Sequence, residues 1–192
     1  MSRSRPSDEE ITQWAFAARR GDRAALERFV QATQQDVWRY AAHLADPQLA
    51  EDLAQETYLR ALRSLARFEG RASARTWLLS IARRVVVDHI RAVQSRPRRA
   101  NLPDWQAAAE RTQPSPARFD DEVVLGELVK SLDPDRHEAF VLTQTLGLSY
   151  AQAAEICDCP VGTIRSRVAR ARDDLITALR ETDRPGRRSA SR

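Results

Sequence analysis

Leu148-Ser149-Tyr150-Ala151-Gln152-Ala153-Ala154-Glu155-Ile156-Cys157-Asp158-Cys159-Pro160-Val161-Gly162-Thr163-Ile164-Arg165-Ser166-Arg167-Val168-Ala169-Arg170-Ala171-Arg172 carries the clearest helical punctuation in the chain. It reads as two helices joined by a very short turn. Ser149 suits an N-cap, and Gln152 lies three residues on, where its side chain can close a capping box. Ala153, Ala154 and Ile156 give a short helix with a small, closely packable face. Asp158-Cys159 breaks it, and Pro160 fits the first turn of a new helix, where no amide donor is needed. Val161, Ile164, Val168 and Leu175 recur at helical spacing and mark one buried face. Arg165, Ser166, Ala169 and Arg170 fall on other faces. A short helix, a tight turn and an arginine-bearing second helix form a helix-turn-helix, whose second helix enters the major groove of DNA.

An ordinary helical hairpin with a solvated arginine face is the blander reading. Against it, no acidic residue lies between Pro160 and Arg172 to pair with Arg165, Arg167, Arg170 and Arg172. Small Ser166 and Ala169 among those arginines let the helix approach a groove closely.

The rest of the composition agrees with a nucleic-acid partner without proving one. A chain of 192 residues suits one or two small domains. Its net charge of +4 leans toward polyanions, although 27 acidic residues remain. Lys130 is the one lysine, so the basic charge is almost all arginine, which suits bidentate contacts. Cys157 and Cys159 are too close for a disulfide framework, consistent with a reducing compartment, and too few for a zinc site. They read as small residues packed in a turn, and no metal or cofactor is expected. The opening residues Met1 to Glu10 are polar and charged, unlike a signal peptide. The most apolar helix, Thr76 to Val93, carries Arg83, Arg84, Asp88 and Arg91, so no membrane span is expected and the chain reads as soluble and cytoplasmic.

Taken in order, the chain reads as all-α. Ser7-Asp8-Glu9-Glu10 is a second capping box, opening a helix with Ile11, Trp14, Phe16 and Ala18. Gly21-Asp22 ends it and starts a helix whose apolar stripe is Leu26, Phe29, Val30, Val37, Trp38, Ala41 and Leu44. Asp46-Pro47 opens a third helix to about Leu65, with Leu49, Leu53, Leu59 and Leu62 as its stripe. Ser73 precedes a fourth, from about Ala74 to Val93, with Leu78, Ile81, Val85 and Ile90 facing a core. These four make one compact helical domain, residues 7–93. Residues 94–119 hold Pro97, Pro103, Pro114 and Pro116 with little apolar periodicity, the composition of a flexible linker. A second domain, residues 120–182, begins with Val123, Val124, Leu125, Leu128 and Leu132. It continues through a helix capped by Asp133-Pro134 and ended by Gly147, and closes with the helix-turn-helix.

The first domain has a basic region of its own. Between Arg71 and Arg99 lie eight arginines against one carboxylate, Asp88, and Trp77 sits among them. Unpaired bases stack on aromatic residues in basic grooves, although a lone Trp on a helix is more often core. The third helix differs: Asp52, Gln55 and Glu56 share one face and form an acidic patch suited to a protein partner. His43, His89 and His137 make no motif with a nucleophile or metal ligands, so no enzyme is read here.

These stretches together resemble the bacterial extracytoplasmic-function sigma factors, the smallest promoter-recognition subunits of RNA polymerase. Asp52-Leu53-Ala54-Gln55-Glu56-Thr57 matches their region 2.2 motif. Arg75-Thr76-Trp77-Leu78-Leu79-Ser80-Ile81-Ala82-Arg83 matches regions 2.3 and 2.4. Gly147-Leu148-Ser149-Tyr150 and Pro160-Val161-Gly162-Thr163-Ile164-Arg165-Ser166-Arg167 match region 4.2. Three motifs in the family's order are far more specific than any one.

The resemblance implies roles residue by residue. Asp52, Gln55, Glu56 and Leu59 match the face that docks on the coiled coil of the polymerase β′ subunit, with the β subunit a further contact. Arg71, Ser73, Arg75, Trp77, Arg83, Arg84 and Arg91 fall in or beside the segment that captures the melted −10 element. Thr163, Arg165, Ser166, Arg167, Ala169, Arg170 and Arg172 lie on the helix that reads the −35 duplex. Ala74 stands where many relatives carry an aromatic residue. Relatives are often held by an anti-sigma protein, a third class of partner beside core polymerase and promoter DNA. The alternative is a helix-turn-helix regulator that works without polymerase, which leaves the patch at Asp52 and the arginine-rich fourth helix unexplained.

Overall fold

The computed structural model describes residues 5–95 and 126–182, and among them every regular element is helical. Four helices form the first domain: α1 (Asp8–Arg19), α2 (Arg23–Leu44), α3 (Ala50–Leu65) and α4 (Ala74–Ser95). Residues 126–130 are helical, and three helices follow: α5 (Pro134–Phe140), α6 (Tyr150–Cys157) and α7 (Val161–Thr182). The stretch read as a linker, 94–119, lies outside the described residues apart from its first two.

The caps foreseen from sequence are made by hydrogen bonds. Ser7 accepts from the Glu10 amide while the Glu10 carboxylate accepts from the Ser7 amide. Ser149 and Gln152 repeat this reciprocal pair at the start of α6. Asp22 caps α2, and Asp133 caps α5 by accepting from the amides of Asp135 and Arg136. Each cap contributes about 1 kcal/mol by satisfying amides with no intrahelical partner. Asp46 also caps, but Pro47–Leu49 is a 3-10 turn, so α3 itself starts at Ala50. After Phe140 the chain loosens into a π-helical turn, Val141–Thr145, in which the Leu146 amide donates to the Val141 carbonyl.

Some stripe positions differ from the sequence reading. On α3 the buried residues are Ala50, Leu53, Thr57, Ala61 and Leu65. Leu59 and Leu62 are 51% and 44% exposed, because small Ala61 and threonine Thr57 occupy the close-packed face instead. Trp38 is 46% exposed although its neighbour Val37 is fully buried. On α7, Ile164, Val168 and Leu175 are buried as expected, whereas Val161 is exposed at the helix start. Pro160 stands one residue before α7, its carbonyl accepting from the amides of Thr163 and Ile164.

One apolar core runs through both domains, from Ile11, Phe29 and Tyr40 through Leu78, Leu79 and Val86 to Leu142, Ile156 and Ile164. A smaller cluster of Val129, Leu132, Ala171 and Leu175 closes the far end of the second domain. Helix α6, the first helix of the helix-turn-helix, packs directly on α4 of the first domain.

Candidate nucleic-acid interface

The turn between α6 and α7 is built by Asp158, whose φ of 53° is left-handed. An aspartate tolerates that conformation better than most residues with a Cβ. It turns the chain sharply enough for α7 to start at Val161. With Ile164, Val168 and Ala171 held in the core, the opposite side of α7 is fixed toward solvent. Arg165, Ser166, Ala169 and Arg170 are all exposed there, and Thr163 is half-buried beside them. Among the described residues no side-chain hydrogen bond or ion pair engages Arg165 or Arg170, so two guanidinium forks and two small residues share one open helical face.

Arg167 and Arg172 sit differently. Arg167 is half-buried, ion-paired with Asp135 of α5, and its Nη1 lies 3.9 Å from Cys159 Sγ. Arg172 is exposed and donates to Gln144 Oε1 at 2.8 Å. Both lean toward the body of the second domain. Cys157 is buried, and burial pushes its thiol well above the ordinary range, which leaves it unreactive. Among the described residues no three His, Cys, Asp or Glu side chains gather as metal ligands.

In the first domain, the turn before α4 and the start of α4 enclose a hollow of about 460 Å³. Arg67, Arg71 and Arg84 line it together with Phe68, Gly70, Thr76 and Trp77. The Phe68 ring packs against Phe16 on one side and Trp77 on the other, at 5.2 and 5.0 Å between centroids. Gly70 turns with φ +73°, and a Cβ there would collide with the Phe16 ring. Trp77 is therefore neither a free platform nor fully core. One side is clamped by Phe68 and the rest faces the basic hollow. Ser73 caps the start of α4 by accepting from the Thr76 amide, and its hydroxyl donates to Thr76 Oγ1. Ala74 is fully buried with its amide bonded to Thr12 Oγ1, so an aromatic side chain has no room at that position.

The arginines of this region divide into free and engaged. Arg71 is exposed but ion-paired with Glu69 at 2.7 Å, while Arg84 and Arg91 are exposed. Arg75 is buried, with Nε donating to Asp36 Oδ2 at 2.7 Å and Nη2 to the Leu146 carbonyl at 2.6 Å. Asp36 also pairs with Arg5. Arg83 is half-buried and donates through Nε to Glu138 Oε1 at 2.9 Å. Burial works against the Arg83 charge, but the Glu138 carboxylate outweighs it and holds the guanidinium above its ordinary pKa. The same oxygen accepts from Tyr40 Oη at 2.5 Å. Sequence reading placed Arg75 and Arg83 on an open DNA face. It had no means of foreseeing Asp36, Tyr40, Glu138 and the Leu146 carbonyl as their neighbours, since these lie far away in the chain.

A third surface lies on α2 and α3. Asp52 and Gln55 are exposed, and Leu59 is exposed one turn further along. Glu56 is half-buried and pairs with Arg60 at 2.7 Å, and Arg60 reaches on to Asp88. Beside them runs a groove of about 610 Å³ whose lining includes Gln31, Gln35, Trp38, Glu51 and Gln55. Trp38 was assigned to the core from its stripe. Its exposure beside Gln55 makes it part of this surface instead.

Two family models match the chain. Residues 29–96 match the model of Sigma-70 region 2, and residues 123–175 match that of Sigma-70, region 4. The chain is 50% identical over 188 residues to the ECF RNA polymerase sigma factor SigC of Mycobacterium tuberculosis, covering 97% of this chain and 100% of that one. It is 31% identical to the RNA polymerase sigma-H factor of Pseudomonas aeruginosa, covering 90% of this chain and 95% of the relative. Among solved structures, the sigma factor RpoE bound to the anti-sigma factor NepR from Bartonella quintana superposes with a TM-score of 0.64 at 28% identity. That match covers 83% of this chain and 98% of the other. CnrH in complex with the cytosolic domain of CnrY shares the fold, with a TM-score of 0.68 at 22% identity over 91% of this chain and 99% of that one. The chain belongs to the ECF RNA polymerase sigma factors.

Proposed function

We propose that this sigma factor recruits core RNA polymerase to a defined set of promoters by dividing the work among its three surfaces. The open face of α7, with Arg165, Ser166, Ala169 and Arg170, reads the −35 duplex in the major groove. The basic hollow with Trp77 at its wall takes unpaired −10 bases, which an intact duplex does not expose. The α2–α3 surface around Asp52, Gln55, Glu56 and Leu59, extended by Trp38, docks on the polymerase β′ coiled coil. The chain catalyses no step itself, and it works in the cytoplasm, where polymerase and chromosome are. A protein inhibitor of the anti-sigma class is a further partner, as in the solved relative with NepR.

The observation that carries this reading is the pairing of two unlike basic sites in one chain. One is a convex helix face and the other an aromatic-walled hollow. A regulator of duplex DNA alone needs only the first. Titrating core polymerase with the labelled chain, then challenging the complex with a promoter library, tests it. The expected result is a saturable complex that retains a subset of the library which core polymerase alone releases. A chain that selects the same duplexes without polymerase, and gains nothing from it, contradicts the reading.

A further inference from the structure

Arg165, Arg167, Arg170 and Arg172 of α7 are held in different ways. Arg165 and Arg170 are exposed on the open face. Arg172 is exposed too, and its bond goes to the uncharged Gln144 amide oxygen. Of these four, only Arg167 has a carboxylate partner among the described residues: Asp135, at the start of α5. The Arg167 side chain is 23% exposed, against 58% for that of Asp135. Its Nη2 donates to Asp135 Oδ2, and its Nη1 lies 3.9 Å from Cys159 Sγ. Both ends of the fork are thus turned toward the protein. Asp135 is itself fixed by the cap of α5, since its amide donates to Asp133 Oδ1 at 3.1 Å. The neighbouring cation, Arg136, is taken by Asp174 at 2.6 Å, which leaves the Asp135 carboxylate to Arg167.

We infer that Asp135 is a positioning residue that withholds Arg167 from the DNA backbone, and so sets the sequence-independent affinity and salt response of the −35 helix. The inference rests on the proposed reading of the −35 duplex by α7. An arginine that reaches phosphate adds affinity without sequence preference, through the counterions it displaces. Arg167 and Asp135 together are neutral, so a phosphate meeting the pair displaces none on its account. Arg172 differs, because a bond to a neutral amide is about half as strong as a charge-assisted one and yields more readily to phosphate. Stability is not the reason for the pair, since ion pairs at the surface contribute little to folding. Its effect falls on unrelated duplex, which outnumbers promoters and which a less basic helix leaves sooner.

The test uses the full chain assembled with core polymerase, in the cold so that strands stay paired, at about 50 and 200 mM salt. Its probes are one promoter duplex selected from the library and one unrelated duplex of the same length. Asp135→Asn is expected to raise affinity for both and to steepen the salt slope by about 0.9, the share of one added phosphate contact. Its gain over wild type should therefore shrink about three- to fourfold from the lower salt to the higher. Preference for promoter over unrelated duplex should stay within about twofold, because phosphate carries no sequence information. Asp135→Glu, which keeps the carboxylate, should retain the wild-type slope. In an Arg167→Ala background, Asp135→Asn should leave the slope where it was, which separates release of Arg167 from loss of a nearby negative charge. Asp135 is exposed and its capping bond uses the backbone amide, so these variants keep the fold. A slope that Asp135→Asn leaves unchanged or makes shallower overturns the inference, as does equal steepening with and without Arg167. Wild type that adds no duplex binding to core polymerase refutes the proposed function and this inference with it. Chain-dependent binding with an unmoved slope refutes the inference alone.

Discussion

Arg75 Nε lies 2.7 Å from Asp36 Oδ2, a carboxylate 3% exposed in the middle of α2. The bond joins α2 to α4, and the far side of the same guanidinium reaches the Leu146 carbonyl of the second domain. A buried charge of this kind is held by its partners, and removing Asp36 leaves Arg75 to the Leu146 carbonyl and the more distant Asp8 carboxylate at 3.8 Å. Asp36→Ala should therefore cost about 3–5 kcal/mol, read as a lowered midpoint in denaturant unfolding. A loss under 1 kcal/mol would mean that water reaches Arg75 after all.

Gly70 and Gly21 separate backbone strain from crowding. Both have positive φ, +73° and +97°, but only at Gly70 is the space of a Cβ filled, by the Phe16 ring. Gly21→Ala should cost about 1–2 kcal/mol, the penalty of a left-handed alanine. Gly70→Ala should cost more and loosen the Phe16–Phe68–Trp77 stack, seen as a change in tryptophan emission. Equal costs at the two sites would contradict the packing described for the hollow.

His137 gives the fold a pH dependence. It is buried, its Nε2 has no hydrogen-bond partner among the described residues, and burial with nearby His43 and Lys130 lowers its pKa to about 4. Unfolded, the ring titrates near 6.5. The folded pKa lies below the unfolded one, so the unfolded chain binds the proton first as pH falls. Stability contributed by the neutral ring is complete above pH 6.5 and is lost between there and about 4. The slope from this group approaches about 1.4 kcal/mol per pH unit. Wild type should lose more stability than His137→Leu between pH 7 and pH 5. Parallel stability curves would show that the ring does not stay neutral in the folded chain.

On α7 the arginines should separate by role. Arg170 is exposed on the open face, whereas Arg172 leans to Gln144 at the edge. Arg170→Ala should relax preference at one or two −35 positions, with about 1–3 kcal/mol of discrimination lost. Arg172→Ala should weaken all sequences alike and reduce the salt slope by about one. Binding-site selection at two salt concentrations distinguishes them. An even loss across all sequences for Arg170→Ala would make it a phosphate anchor.

Much of this architecture was legible in the sequence because its signals are local. Capping boxes at Ser7 and Ser149, the caps Asp22 and Asp133 and the spacing of Ile164, Val168 and Leu175 each lie within a few residues, and each was found in place. Trp38, Leu59 and Leu62 show where periodicity fails. An apolar residue beside a buried stripe looks like core whether a helix or a future partner covers it. The seam through Tyr40, Arg83 and Glu138 was invisible for a different reason. It is fixed by how two domains meet, and no spacing in the chain encodes residues 98 positions apart as neighbours.

The surface proposed to face polymerase can be tested without disturbing the fold, since Gln55 and Leu59 are exposed. Gln55→Ala with Leu59→Asp should weaken core polymerase binding by about tenfold or more, as loss of an interface anchor does. The unfolding midpoint should stay unchanged. Unaltered affinity would move the docking site elsewhere.

Mapping transcript starts made by core polymerase with and without this chain, on a library of random upstream DNA, distinguishes promoter-directed initiation from DNA binding alone. New starts are expected that depend on the chain and share two sequence elements at a fixed separation. Preference at the upstream element should be altered by Arg170→Ala, and opening should be impaired by Trp77→Ala on duplex templates more than on premelted ones. No chain-dependent starts, or starts with the upstream element alone, would contradict it.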